Sequence, residues 1–194
     1  MTRSRTLVLL ALAGVAAAAN DRGDDLRRVL DLRLIGDVTD KFQFQGERTD
    51  MGTRIGGGFF ASFPDEFEGD VTGPLLGLEL TRTTAKRDSL KVSADLATLH
   101  AGFAYQTEFR PIHLEINLLT GAGRGSVESA AGDDKARAWE VGARLGVFWT
   151  MPIGLQLGGD IRWVNESAYA NIGGSRDKAM VRGFTGGGSV GWRF

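Results

Sequence analysis

The sequence predicts an all-β fold: an eight-stranded antiparallel up-and-down β-barrel that crosses a membrane with its apolar face turned outward. Three observations carry this. From Leu30 onward the apolar residues recur with period two rather than 3.6, and successive side chains of a strand point to opposite faces. The connections between alternating stretches are by turns short and long. The tryptophans fall at two levels, near one end or the other of the apolar faces.

The chain opens with MTRSRTLVLLALAGVAAAAND. Arg3 and Arg5 precede an apolar run from Leu7 to Val15, and small residues follow. This is the pattern of a cleaved secretory signal peptide over residues 1–19, cut after Ala18 or Ala19. The run is short of the ~20 residues that a spanning helix needs, and no later segment is longer. A barrel domain over residues 27–194 therefore crosses a membrane with strands.

The first strand sets Leu30, Leu32 and Leu34 against Asp31 and Arg33. Residues 37–50 either extend it, carrying the outward phase through Phe42 and Phe44, or form an outer loop. The second sets Ile55, Phe59 and Phe63 against Arg54 and Ser62, and the third Leu76, Leu78 and Leu80 against Glu79 and Thr81. The fourth sets Leu99, Phe103, Tyr105 and Phe109 against His100, Gln106 and Glu108. Ile112, Leu114, Ile116 and Leu118 oppose His113, Glu115 and Asn117 in the fifth. In the sixth, Trp139, Val141, Ala143, Leu145, Val147, Trp149 and Met151 oppose Glu140, Gly142, Arg144, Gly146, Phe148 and Thr150. Leu155, Leu157, Ile161 and Trp163 oppose Gln156, Asp160 and Arg162 in the seventh. The last sets Met180, Phe184, Val190, Trp192 and Phe194 against Thr185, Ser189 and Arg193.

A soluble sandwich or lipocalin-like barrel would show the same alternation with the apolar face inside. Three features favour the inverted arrangement. Long polar connections follow Thr81, Thr120 and Val164, whereas Arg110–Pro111 and Met151–Gly154 are short turns, an asymmetry of membrane barrels. Pro64, Pro74, Pro111 and Pro152 all fall at the short-turn end, away from strand centres where a ladder bond would be lost. Trp139, Trp149, Trp163 and Trp192 all lie on the outward face. Ten residues at ~3.3 Å each, tilted ~40°, span about 25 Å, the height of an apolar band between two aromatic girdles.

The chain ends GGGSVGWRF. Val190-x-Trp192-x-Phe194 after a run of small residues resembles the C-terminal signature of bacterial outer-membrane barrels. With the signal peptide and eight strands, the whole mature chain resembles the small eight-stranded OmpA/OmpX-type barrels. The resemblance implies residence in a Gram-negative outer membrane as a monomer, with short turns periplasmic and long loops external. It also implies contact with outer-membrane lipids and lipopolysaccharide, and assembly machinery that reads Val190, Trp192 and Phe194.

The inward positions predict the lumen. Asp31, Glu79, Glu108, Glu115, Glu140 and Asp160 face Arg33, Arg54, Arg110, Arg144, Arg162 and Arg193, with His113 among them. The interior of an eight-stranded barrel is just wide enough for side chains to fill, and buried ions must be paired, so the expectation is a salt-bridged plug. Tight turns would set Thr150 opposite Gly154, Arg144 opposite Asp160, and Glu108 opposite His113.

His100 and His113, inward and near carboxylates, raise the question of a metal or a general base. A lipid A-modifying barrel enzyme would need a serine and a histidine together on the outward face near the outer leaflet. No such pair is present, so both are expected to be structural, with no metal, no cofactor and no enzymatic activity. Lys+Arg number 23 against 24 Asp+Glu, a formal charge of −1, which leaves no basic balance for a nucleic-acid partner. The absence of cysteine excludes a disulfide scaffold and thiolate chemistry. GAGRG and RIGGG lack the strand-to-helix setting of a phosphate loop. The function expected is an envelope-structural or surface-interaction role through polar external loops. These carry Lys86, Arg87 and Asp88; Asp133, Asp134, Lys135 and Arg137; and Arg176, Asp177 and Lys178. The alternatives are a narrow porin-like channel for small or apolar solutes and, second, the lipid A-modifying enzyme.

Overall fold

The computed structural model describes residues 29–63, 65–67, 70–106, 111–172 and 175–194, with the side chains of all but 65–67, 70–71 and 175–176. The signal peptide, the domain start at 27, and Pro64, Glu108, Phe109 and Arg110 lie outside the described residues.

Eight long strands form one closed antiparallel barrel: β1 (Val29–Phe44), β2 (Glu47–Ser62), β4 (Asp70–Arg87), β5 (Leu90–Gln106), β6 (Ile112–Ser129), β7 (Gly132–Thr150), β8 (Leu155–Ile172) and β9 (Ser175–Arg193). Between β2 and β4, the three-residue β3 (Asp65–Phe67) folds back on the start of β4. Closure is made by β1 against β9, from Asp31↔Arg193 to Val38↔Gly186. Phe194 N–H donates to the Leu30 carbonyl at 2.9 Å, so the C-terminal residue is bonded into the seam. A closed ring leaves no long edge of unpaired backbone groups, which hydrocarbon would not tolerate.

The strands are longer than a bilayer requires. They run from 16 to 19 residues, and ~18 residues at the usual rise and tilt reach about 45 Å. The sequences after Thr81, Thr120 and Val164, expected as external loops, instead continue β4, β6 and β8 and return as β5, β7 and β9. Their inward positions hold Leu90, Val92, Val127, Ala136, Ala168, Ala170 and Ile172, which pack into a buried apolar cluster and keep these segments in the barrel wall. At this far end, β1 and β2 are joined through Gln45 and Gly46 with φ of 49° and 85°. Two positive values in succession are what a tight hairpin requires, and Gly46 adopts its one without strain.

Residues 37–44 extend the first strand, but Phe42 and Phe44 face inward, contrary to the expected phase, and are 0% and 1% exposed. Irregularities in the β1–β2 pairing between Thr39 and Lys41, and between Lys41 and Gln43, break the alternation, as a bulge does. Leu30, counted on the outward face, is also covered.

The expected register is corrected by two residues at both short turns. Thr150 pairs with Gln156, so Arg144 stands opposite Arg162 and Asp160 opposite Gly146. The expected pairing would have left Pro152 as the whole connection. The observed loop holds Pro152, Ile153 and Gly154, closed by Met151 N–H to the Leu155 carbonyl at 2.8 Å, with Gly154 at φ 88°, a common form for a three-residue hairpin. His113 pairs with Gln106 rather than Glu108; Pro111, with no N–H for the ladder, stands in the connection.

Candidate functional site

The side chains of greatest chemical interest fill the lumen. Around the ring, β1 and β6, β4 and β8, and β2 and β7 each lie four places apart and therefore face each other across the axis. A bridge between arginine and glutamate joins each of these three opposite pairs.

Nearest the termini, Arg33 of β1 meets Glu115 of β6 with both terminal nitrogens, Nη1 donating to Oε2 at 2.8 Å. Nη2 also donates to Asp31 Oδ2 at 2.6 Å. The guanidinium carbon lies 4.5 Å from the ring centroid of Phe60 and 3.9 Å from that of Phe148, so the charge is held between two aromatic faces. Glycines make room for these rings. A Cβ at Gly58 or Gly77 would collide with Phe60, and one at Gly146 or Gly158 with Phe148. Arg193 grips Asp31 through Nε at 2.8 Å and Nη2 at 3.0 Å. The same Nη2 lies 2.9 Å from His113 Nε2. Because a guanidinium has only donors, that ring nitrogen is the acceptor.

In the middle layer, Arg162 of β8 reaches Glu79 of β4, with Nη1 donating to Oε1 at 2.6 Å. Arg162 and Arg144 oppose each other in the ladder, and Asp160 relieves the repulsion by accepting from both at 2.8 Å. Asp37 Oδ2 adds an ion pair to Arg162 at 3.3 Å. His100 Nδ1 is bonded to Asn117 Oδ1 at 2.9 Å, and its Nε2 lies 3.4 Å from Glu79 Oε2.

The layer farthest from the termini repeats the device with signs exchanged. Glu140 and Glu166 oppose each other in the β7–β8 ladder, and Arg54 of β2 crosses the lumen to both, meeting Glu166 Oε2 at 2.9 Å. Thr98 donates to Glu140, and Arg54 Nε to Thr83 Oγ1 at 3.3 Å. Beyond this layer lies the apolar cluster built around Phe42, Phe44, Leu90, Val92 and Val127.

Of the residues expected in the lumen, Asp31, Arg33, Arg54, Glu79, His113, Glu115, Glu140, Arg144, Asp160 and Arg162 are buried, and the Arg193 side chain is 16% exposed. Glu108 and Arg110 lie outside the described residues. Sequence reasoning overlooked Asp37, Glu166 and Phe60, and gave Phe148 and His100 no part in the network. Asp37 continues the phase of Asp31 and Arg33, and Glu166 that of Asp160 and Arg162, so continued alternation was the available signal. Trp149, Trp163 and Trp192 are exposed on the outer wall, as are Val190 and Phe194; Trp139 is partly covered.

Asp31, His113 and Glu115 bring potential metal-ligand atoms within 4.8 Å of one another. The donor set does not fit a cation, because Arg33 occupies both carboxylates and Arg193 occupies Asp31 and the imidazole. Two fixed positive charges already stand where the ion would.

No family model matches the chain, and no curated protein matches it. Among solved structures it is similar to Neisserial surface protein A (NspA) at 14% identity and a TM-score of 0.50, over 88% of this chain and 98% of that one. It is similar to Ail, the attachment invasion locus protein of Yersinia pestis, at 14% identity and a TM-score of 0.48, over 86% and 98%. The translocator domain of autotransporter NalP from Neisseria meningitidis aligns at 16% identity and a TM-score of 0.39, over 97% and 67%. The likeness to NspA is one of fold: the chain has the architecture of the small eight-stranded outer-membrane barrels.

Proposed function

We propose that the chain is an integral barrel of a Gram-negative outer membrane, inserted as a monomer with both termini periplasmic. Its lumen is closed to solutes, and it serves envelope architecture or surface contact through the strand extensions at its far end. The observation that carries this reading is the stack of bridges Arg33–Glu115, Arg162–Glu79 and Arg54–Glu140, each joining opposite walls at a different height. The apolar cluster above them adds a dry stopper. Leu34, Ile55, Leu99, Ile116, Leu118 and Ile161, each 59–70% exposed on the outer wall, support insertion, since only a lipid solvent favours such a belt. On this reading residues 1–19 are removed on export, and Val190, Trp192 and Phe194 are the signal taken by the assembly machinery. The non-enzymatic assignment is supported by both imidazoles being engaged in the lumen, His100 with Asn117 and His113 with Arg193.

Conductance in planar bilayers tests the closed lumen. The refolded barrel should give no steady single-channel current, and a reproducible unitary current would replace this reading with the narrow channel. Location is tested separately, by membrane fractionation and by migration on gels that shifts when the folded barrel is boiled. A soluble periplasmic product would overturn insertion.

A further inference from the structure

Immediately beyond the apolar belt, one ladder row on the outer wall runs through Arg82, Asp95, Arg124 and Arg137 on four successive strands, β4 to β7. All four side chains are exposed. The row next to it, on the belt side, holds Leu80, Ala97, Ala122 and Trp139. The two alanines leave a trough between the leucine and the indole. A groove of about 580 Å³ opens at this place, floored by Ile55, Leu80, Ala97 and Ala122 and bordered by Arg82, Asp95 and Arg124, with Trp139 and Arg137 on the strand next to its Ala122–Arg124 side. Leu80 and Trp139 stand three strand spacings apart, ~14 Å, which accommodates the width of an acyl chain.

The charges along this row are unbalanced. Asp95 lies 3.7 Å from Arg82, but Arg124 and Arg137 stand directly opposite each other. Neither makes an ion pair among the described residues. Like charges in direct cross-strand register destabilise a sheet, and an anion between them would remove that penalty. Two other cations on the same wall are engaged: Lys91 bonds Glu128 at 2.7 Å, and Arg182 lies 5.7 Å from the centre of the Trp163 ring.

We propose that this groove is a binding site for lipopolysaccharide, with an acyl chain in the Ala97–Ala122 trough and a sugar phosphate held between Arg124 and Arg137. The inference rests on the membrane orientation proposed above, which places the row at the outer water interface. Planar guanidiniums match a phosphate with paired hydrogen bonds, and the apolar floor continues directly from the belt into the lipid.

The test uses the refolded full barrel in zwitterionic nanodiscs doped with bisphosphorylated lipid A, with retained lipid counted by native mass spectrometry. Retention of one lipid A is expected, and R124Q/R137Q should lower occupancy at least ~10-fold. K86Q/R87Q, which removes two cations near the adjacent strand tips, should leave it unchanged. A97F/A122F fills the trough without altering charge and should also lose the lipid. Equal retention by R124Q/R137Q and the wild type, or of dephosphorylated lipid A, overturns the site. Phosphatidylglycerol held as tightly as lipid A overturns its assignment to lipopolysaccharide. Each variant is first checked for the heat-dependent gel shift. A wild type that lacks the shift, or does not enter the nanodisc, refutes membrane insertion rather than the groove.

Discussion

The half of the barrel near the termini and the half beyond Arg54 are built from the same eight strands with opposite chemistry. Near the termini the outer wall is Leu34, Leu99, Ile116, Leu118 and Val147, and the lumen is Arg33, Glu115, Arg144 and Asp160. Farther along, the outer wall turns to Arg82, Asp95, Arg124 and Lys91, while Val92, Leu96, Val127 and Ala138 turn inward. In β5 the phase never changes: even-numbered residues from Leu90 to His100 all face the interior. On the proposed orientation, what changes is the medium outside. Where hydrocarbon is proposed to surround the wall, apolar side chains there are favoured and the narrow interior can be polar, provided its charges pair. Where water surrounds the wall, the hydrophobic effect draws apolar side chains back to the axis. The difference teaches that strand periodicity records geometry, and that the polarity of each face records the solvent.

The comparison is broken most forcefully at the ionic layers. Arg162→Met should destabilise the barrel by ~3–5 kcal/mol, because Glu79, Asp160 and Asp37 would lose their shared buried cation. Urea unfolding in lipid vesicles measures it. In the far half the corresponding failure is a cavity. Phe42→Ala should cost about 3 kcal/mol by the same assay, and if the far end frays independently, proteolysis near Gln45 should precede global unfolding. A smaller loss would show that this half is not a packed core.

A charge on the outer wall sharpens the contrast. Leu118→Arg, in the middle of the belt at 70% exposure, should cost ~2–4 kcal/mol in a bilayer. Ala136→Arg would instead probe the inward face above the belt. For the outward face there, Arg82→Leu should stay within about 0.5 kcal/mol. Equal penalties for Leu118→Arg and Arg82→Leu would place both residues in one medium. The smallest effect belongs to Lys91→Ala. Its pair with Glu128 is 43% and 44% exposed, so its loss should register only ~0.2–0.5 kcal/mol and vanish in high salt.

Much of the near half was legible because large alternating side chains, Leu against Arg or Glu, make a strong period-two signal. Outside β1 the far half largely alternates too, but with Ala85, Ala94, Ala136, Ala168 and Ala170 on its buried side. Alanine carries little hydropathy, so these strands read as loops, and Glu166 was lost with them. Phe42 and Phe44 misled for a different reason, since a local irregularity reversed the phase after Thr39. Phe60 and Phe148 owe their places to Gly58, Gly77, Gly146 and Gly158 on four strands, a conjunction that no single stretch of sequence displays.

The linear sequence by itself determined the strand class, the face on which most near-half side chains lie, and the acid and base content of the lumen. These follow from alternation and side-chain chemistry, both of which are local. Only the tertiary structure decided which acid meets which base. The two-residue shift at the Met151–Leu155 turn put Arg144 against Arg162, and ring closure brought Arg33 to Glu115, 82 residues away. Partners across a lumen are set by strand number, turn length and shear, which are properties of the closed ring.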